Sequence, residues 1–177
     1  LPKDHDPAKP AGLVIYPHGG PWARDEWGFD PAIQFFATRG FAVLQMNFRS
    51  SEGYGRKHLK AGDKKWGEEM QYDVVDGLKW VMGKHKIDPA RVGIFGGSYG
   101  GYTVMAQLTQ YPELYNFGIN VVGPVDLYEL IMHRKENLND LEVFDYYHRT
   151  IGHTKDEREL LEKHSPINYI ERLDDPV

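Results

Sequence analysis

Short apolar runs alternate with amphipathic stretches over the first 124 residues of the chain. "GLVIYPHGG" (12–20) is a continuous apolar run closed by Pro17 and a glycine pair, the pattern of a strand buried on both faces. "FAVLQMNF" (41–48) is a second such run, "DPARVGIFGG" (88–97) a turn feeding a third, and "NFGINVVGP" (116–124) a fourth. Between the first two, "FDPAIQFFATRG" carries helix punctuation. Asp30 can cap, Pro31 suits the first turn, Arg39 sits near the negative end and Gly40 can terminate. From Trp66 to Met82 the apolar residues Met70, Val74, Leu78 and Val81 recur at helical spacing, while Glu69, Asp73, Asp76 and Lys79 take the other faces. Tyr102 to Gln110 reads as a further helix, stopped near Pro112.

Strands alternating with helices of this length predict βαβ crossovers and a mostly parallel sheet of about four strands, an α/β fold. Residues 1–12, with Pro2, Pro7 and Pro10, read as an extended linker ahead of a domain over 13–177. Residues 49–65 read as loop with some helix. Residues 125–177 read as helical and charged, closing on the turn signal "LDDPV". A length of 177 residues suits one domain with a sizeable core.

Composition narrows the chemistry by exclusion. Net charge is −5, with no basic run, which argues against a nucleic-acid surface. The chain has no cysteine, so disulfides, thiolate metal sites and a cysteine nucleophile are ruled out. Apolar runs fall short of the ~18 residues of a membrane span, and the first residues lack the apolar core of a signal peptide. The compartment stays open, with the cytoplasm favoured. No H-E-x-x-H spacing suggests a metal, and no Gly-Lys loop suggests a nucleotide; the expectation is no cofactor.

The chemistry concentrates in "GIFGGSYGG" (93–101), where Gly96-Gly97-Ser98-Tyr99-Gly100 has the form G-x-S-x-G between a strand and a helix. A serine at the apex of such a turn exposes its hydroxyl above the sheet, and side chains two residues either side would collide, so Gly96 and Gly100 fit there. Gly97 and Gly101 are expected to allow still closer packing. The following helix N-terminus aims backbone N–H groups at developing negative charge, with the Tyr99 N–H first. Two loops could add a donor. "YPHGGP" offers the backbone of His18-Gly19-Gly20, where His18 itself reads as a brace. "NFRSSEGYG" offers the Tyr54 hydroxyl, which the residues alone do not distinguish from an ordinary loop tyrosine.

The combined order of HGGP, N-x-R…GYG and DPARVGIFGGSYGG, running from Leu1 to "SPINYI", resembles the catalytic domain of the prolyl oligopeptidase family of serine peptidases. The resemblance implies an α/β-hydrolase fold, Ser98 as nucleophile and Tyr54 with the Tyr99 N–H as the oxyanion hole. It puts no catalytic role on His18. Ser50 departs from the glycine of many relatives. The family's triad Asp and His follow the "SP…Y" stretch, so both are expected beyond Val177, with the C-terminal strands and without the family's β-propeller in this chain. An internal substitute would have to be Asp126 as acid, with His133, His148, His153 or His164 as base, all from the helical segment; His5, His58 and His85 read as linker or surface residues.

The chain is therefore expected to be a fragment that is nearly inactive alone, acting on peptides when complete. Its unfinished sheet edge invites self-association. A carboxylesterase uses the same machinery and is the enzymatic alternative; a non-catalytic assembly module built on the open edge is the other.

Overall fold

The computed structural model describes residues 1–3 and 5–173, so the expected terminal turn lies, from Asp174 on, outside the described residues. Four strands form one sheet: β1 (Ala11–Ile15), β2 (Phe41–Leu44), β3 (Ile87–Gly97) and β4 (Phe117–Val121). Their order is β2-β1-β3-β4, and every neighbouring pair is parallel. Parallel pairing demands long crossovers. These carry α1 (Pro31–Ala37), α2 (Arg56–Lys60), α3 (Glu69–Lys84) and α4 (Tyr99–Gln110). After β4 come α5 (Leu127–Glu136), α6 (Leu141–Thr150), α7 (Arg158–Lys163) and a 3-10 segment, Pro166–Arg172.

The apolar patterning has its physical outcome in β1, where Leu13, Val14 and Ile15 are fully buried. Each such side chain contributes about 1.5–3 kcal/mol over an exposed one. The α3 stripe of Met70, Val74, Leu78 and Val81 is likewise buried. Val74, Leu78 and Val81 join β1, Val92 and Ile94 in one apolar cluster. Met70 joins a second cluster with Phe48, Trp66, Tyr99, Tyr102 and the helices after β4.

Three boundaries differ from expectation. The strand β1 starts at Ala11, inside the expected linker, because the proline punctuation ends at Pro10 and the Ala11 N–H donates to the Lys86 carbonyl at 2.9 Å. The "DPAR" turn lies within β3. Ile87 already pairs with Ala11, and the register then shifts before Val92, with the Asp88 carboxylate accepting from the Ala90 N–H at 3.0 Å. The helix expected from Trp66 starts at Glu69, since Trp66 is a core side chain whose carbonyl accepts from the Gln71 carboxamide at 2.6 Å. At α1 the punctuation works as read: the Asp30 carboxylate accepts from the Ile33 N–H at 2.9 Å, and Arg39 donates to the Phe35 carbonyl at 3.1 Å.

Candidate active site

A parallel sheet gathers the C-terminal ends of its strands at one edge, where open α/β sheets place their sites. The His18–Gly20 loop leaves β1, Asn47 and the Tyr54 loop leave β2, and Ser98 leaves β3. Ser98 has φ 54° and ψ −120°, a backbone state that a non-glycine residue holds only at a cost of about 1–3 kcal/mol. Its side chain is exposed, while Tyr99 and Gly100 on the next positions are buried. The Ser98 N–H donates to the Val121 carbonyl at 3.0 Å, and the Ser98 carbonyl accepts from the Tyr102 N–H at 3.0 Å, so the turn is held from β4 and α4 together.

Close packing explains three of the glycines. A Cβ on Gly96 would lie 2.5 Å from the Gly100 carbonyl carbon and oxygen, and one on Gly100 would run into the Pro17 carbonyl oxygen. Gly101 is similarly closed off by Asn120 and Gly123. Gly97 differs from expectation: a Cβ there would meet only the Val121 carbonyl oxygen at 3.7 Å, an ordinary contact, so packing does not require glycine. The helix α4 starts at Tyr99, whose N–H is the first of those without an intrahelical partner. The Tyr99 phenol is fully enclosed and burial raises its pKa, so the side chain is core while the amide faces the turn.

The His18 loop comes directly against the elbow: a Cβ on Gly19 would sit 3.5 Å from the Ser98 Cβ and 3.2 Å from the Gly97 carbonyl oxygen. Gly20 has φ 118°, a conformation that favours glycine. Both nitrogens of His18 are engaged. Nδ1 stands 2.7 Å from the Gly19 carbonyl, which can only accept, so Nδ1 donates, and Nε2 lies 2.8 Å from the Ser51 hydroxyl. The ring stacks on Phe48 at 4.3 Å. His18 thus joins the loops after β1 and β2.

Tyr54 sits between Gly53 (φ 83°) and Gly55 (φ 85°) and is 51% exposed. Its hydroxyl accepts from the Asn47 carboxamide at 2.9 Å. The Arg24 guanidinium lies 5.3 Å from its ring centroid and the His58 ring 5.1 Å away. The strand-end segment is anchored to α3 by Arg49, whose Nε and Nη2 reach the Asp73 carboxylate at 2.7 and 2.6 Å while its N–H donates to the same group at 3.0 Å. Asn47, Arg49 and Ser51 escape a reading by residue type; their only signal is their place in "NFRSSEGYG", and Asp73 on α3 has none.

Several of the other ionisable candidates make contacts elsewhere, while His133 is exposed on α5. The Asp126 carboxylate caps α5 by accepting from the Glu129 N–H at 3.0 Å. His58 Nε2 meets the Phe48 carbonyl at 3.0 Å, and His148 Nε2 meets the Thr154 hydroxyl at 2.9 Å. His153 Nδ1 lies 3.2 Å from Asp156, and His164 is buried 3.4 Å from Glu68. Among the described residues, no group of three or more His, Asp or Glu side chains is arranged to hold a metal ion. No helix among them is long and apolar enough to cross a membrane.

A serine on a strained strand-to-helix turn, above a parallel sheet flanked by helices, defines the α/β-hydrolase fold. The chain belongs to the prolyl oligopeptidase family, a serine peptidase family, whose sequence pattern matches residues 27–177. It is 39% identical over 125 residues to dipeptidyl peptidase family member 6 of Caenorhabditis elegans, covering 71% of this chain and 17% of that protein. It is 31% identical over 182 residues to the acylamino-acid-releasing enzyme of Mus musculus, covering 93% of this chain and 23% of that one. The fold is similar to Pyrococcus horikoshii acylaminoacyl peptidase, with a TM-score of 0.85 at 26% identity over 94% of this chain and 27% of that one. An acylaminoacyl peptidase in complex with Z-Gly-Gly-Phe-chloromethyl ketone gives 0.87 at 26% identity, over 99% and 28%. The chain thus spans about a quarter or less of the two curated relatives' length.

Proposed function

We propose that this chain carries the nucleophile and oxyanion hole of a serine peptidase that cleaves peptide bonds through an acyl-enzyme. The observation that carries the reading is the exposed Ser98 in a strained backbone state, wedged between Gly96 and Gly100 at the start of α4. Ser98 Oγ attacks the substrate carbonyl carbon as its proton passes to a base. The carbonyl oxygen takes the negative charge, and the Tyr99 N–H and Tyr54 O–H donate to it. The C–N bond then breaks as the base returns the proton to the leaving amine, and water releases the acyl group by the reverse sequence.

The base and its orienting acid are read as lying outside residues 1–173. The contacts of His18, His58, His148 and His153 support this, as does the short span of the chain against its relatives. Without them the chain is expected to keep only a roughly 10³–10⁴-fold advantage over water. The same reading makes the outer edge of β4, where Ile119 and Val121 are more than 40% exposed, a pairing edge for another strand, a second copy of this chain included.

Fluorophosphonate labelling of this chain, of the full-length natural protein and of their Ser98→Ala variants tests the reading. Labelling of the full-length protein alone, lost with Ser98→Ala, is the expected result. Strong Ser98-dependent labelling of the 177-residue chain would show that an internal histidine serves as base. Turnover of an aminoacyl amide against the matched ester separates peptidase from esterase.

A further inference from the structure

We propose that Asn47 is a positioning residue for the oxyanion hole, holding the Tyr54 hydroxyl as an acceptor so that the phenolic proton is left for the substrate. The inference rests on the oxyanion role read for Tyr54 above. A phenol has one hydrogen to give, and any acceptor beside it competes with the substrate for that hydrogen. Tyr54 Oη is met instead by a donor, the Asn47 Nδ2 at 2.9 Å. A donor at that place removes the competition, and the bond it makes polarises the O–H, which strengthens it as a donor in turn.

The orientation of the carboxamide follows from the backbone around it. Asn47 Oδ1 accepts from the Asp25 N–H at 2.8 Å, and Asn47 Nδ2 donates to the Asp25 carbonyl at 3.1 Å. Turning the amide over would set N–H against N–H and oxygen against oxygen, so the network itself determines which end faces Tyr54. Nδ2 spends its two hydrogens on Asp25 and Tyr54. The clamp on Asp25 also ties the hydroxyl to the segment that leaves the Gly19–Gly20 loop, and Glu52 N–H reinforces it by donating to the Ala23 carbonyl at 2.9 Å. Gly19 in turn is the residue packed against Ser98. Tyr54 itself lies between two left-handed glycines on an exposed loop, so it needs such a fixed point.

The competing explanation is that Asn47 only braces the segment around Asp25. A double-mutant cycle in the full-length natural protein separates the two, with kcat and KM measured on an aminoacyl amide. Tyr54→Phe is expected to lower kcat by about 10²-fold, the scale of losing one oxyanion donor. Asn47→Asp keeps an acceptor for the Asp25 N–H but presents a carboxylate to Tyr54, which draws the phenolic proton away from the substrate. It is expected to lower kcat by at least ~10-fold with KM little changed, and by less than ~2-fold when Tyr54→Phe is already present.

A loss of equal size in both backgrounds would overturn the inference and assign Asn47 to the bracing role. An unchanged kcat in Tyr54→Phe would overturn the oxyanion role of Tyr54 and the inference with it. If Asn47→Asp lowers the urea midpoint, Asn47→Ala is carried through the same cycle and judged by the same criterion.

Discussion

Replacing Gly96 with alanine puts a methyl carbon 2.5 Å from the Gly100 carbonyl carbon and oxygen, where carbon contacts ordinarily settle at about 3.5–4 Å. The gap between the end of β3 and the first turn of α4 must open by about 1 Å. Both obstacles are backbone, and α4 is buried along most of its length, so no flexible side chain can absorb the shift. Overpacking of this kind costs about 1–3 kcal/mol, and the rigid surroundings put Gly96→Ala near ~3. One residue on, Gly97→Ala meets nothing closer than 3.7 Å and needs no positive φ. It should stabilise by about 0.4–1 kcal/mol through loss of unfolded-state freedom.

Adjacent glycines in one motif are therefore expected to respond with opposite signs. In urea unfolding followed by tryptophan fluorescence, with m near ~2 kcal/mol/M, the Gly96→Ala midpoint should fall by about 1.5 M and the Gly97→Ala midpoint should rise by a few tenths. An opening of about 1 Å beside Ser98, the proposed nucleophile, should also slow acylation of the full-length protein by about 10²-fold in Gly96→Ala. Midpoints that move together, in either direction and by similar amounts, would refute steric packing as the reason for Gly96.

Ser98→Gly should be more stable than Ser98→Ala by about 1 kcal/mol, because glycine alone relaxes at φ 54°; thermal or urea midpoints of the two variants check this. Asp73→Asn breaks the charged fork to Arg49; with both side chains a quarter to a third exposed, about 1–2 kcal/mol of stability should go, with faster amide exchange at Arg49 to Ser51. Burial pushes the His164 imidazole below its ordinary pKa, against the opposing pull of Glu68. The folded state then binds that proton less tightly than the unfolded one, so this contribution is full above about pH 6.5 and declines as pH falls through the lower folded value. Urea midpoints at pH 7.5 and 5.5 should show the decline, and His164→Gln should flatten it.

The sheet was legible because β1 and the α3 stripe are buried in the periods their sequences display, and because Asp30 and Pro31 punctuate α1 by local chemistry alone. The boundaries were less so. Nothing in "DPAR" reveals that Ile87 would pair with Ala11, since a residue far back along the chain decides it. Trp66 continues a helical spacing yet is drawn into the aromatic cluster of Tyr99 and Tyr102 instead. Of the candidate site, Ser98 was legible from its glycines, one of which turned out not to be needed for packing. The partners that orient the site were not legible. Asn47 against Tyr54 and Ser51 against His18 are polar residues of common type, and only the crossing of two loops gives them meaning.

The helical excursion after β4 closes on itself. The Ile167 N–H donates to the Val125 carbonyl at 3.1 Å, and the Leu127 N–H donates to the Ser165 hydroxyl at 2.9 Å. The two ends of the excursion, at Val125–Leu127 and Ser165–Ile167, therefore meet at one narrow neck. Material spliced in between adds little closure entropy, about 0.6 kcal/mol for a doubling of length, and leaves the strand ends where they were. Such a neck lets evolution redraw the walls around the candidate site without retuning the turn that holds Ser98.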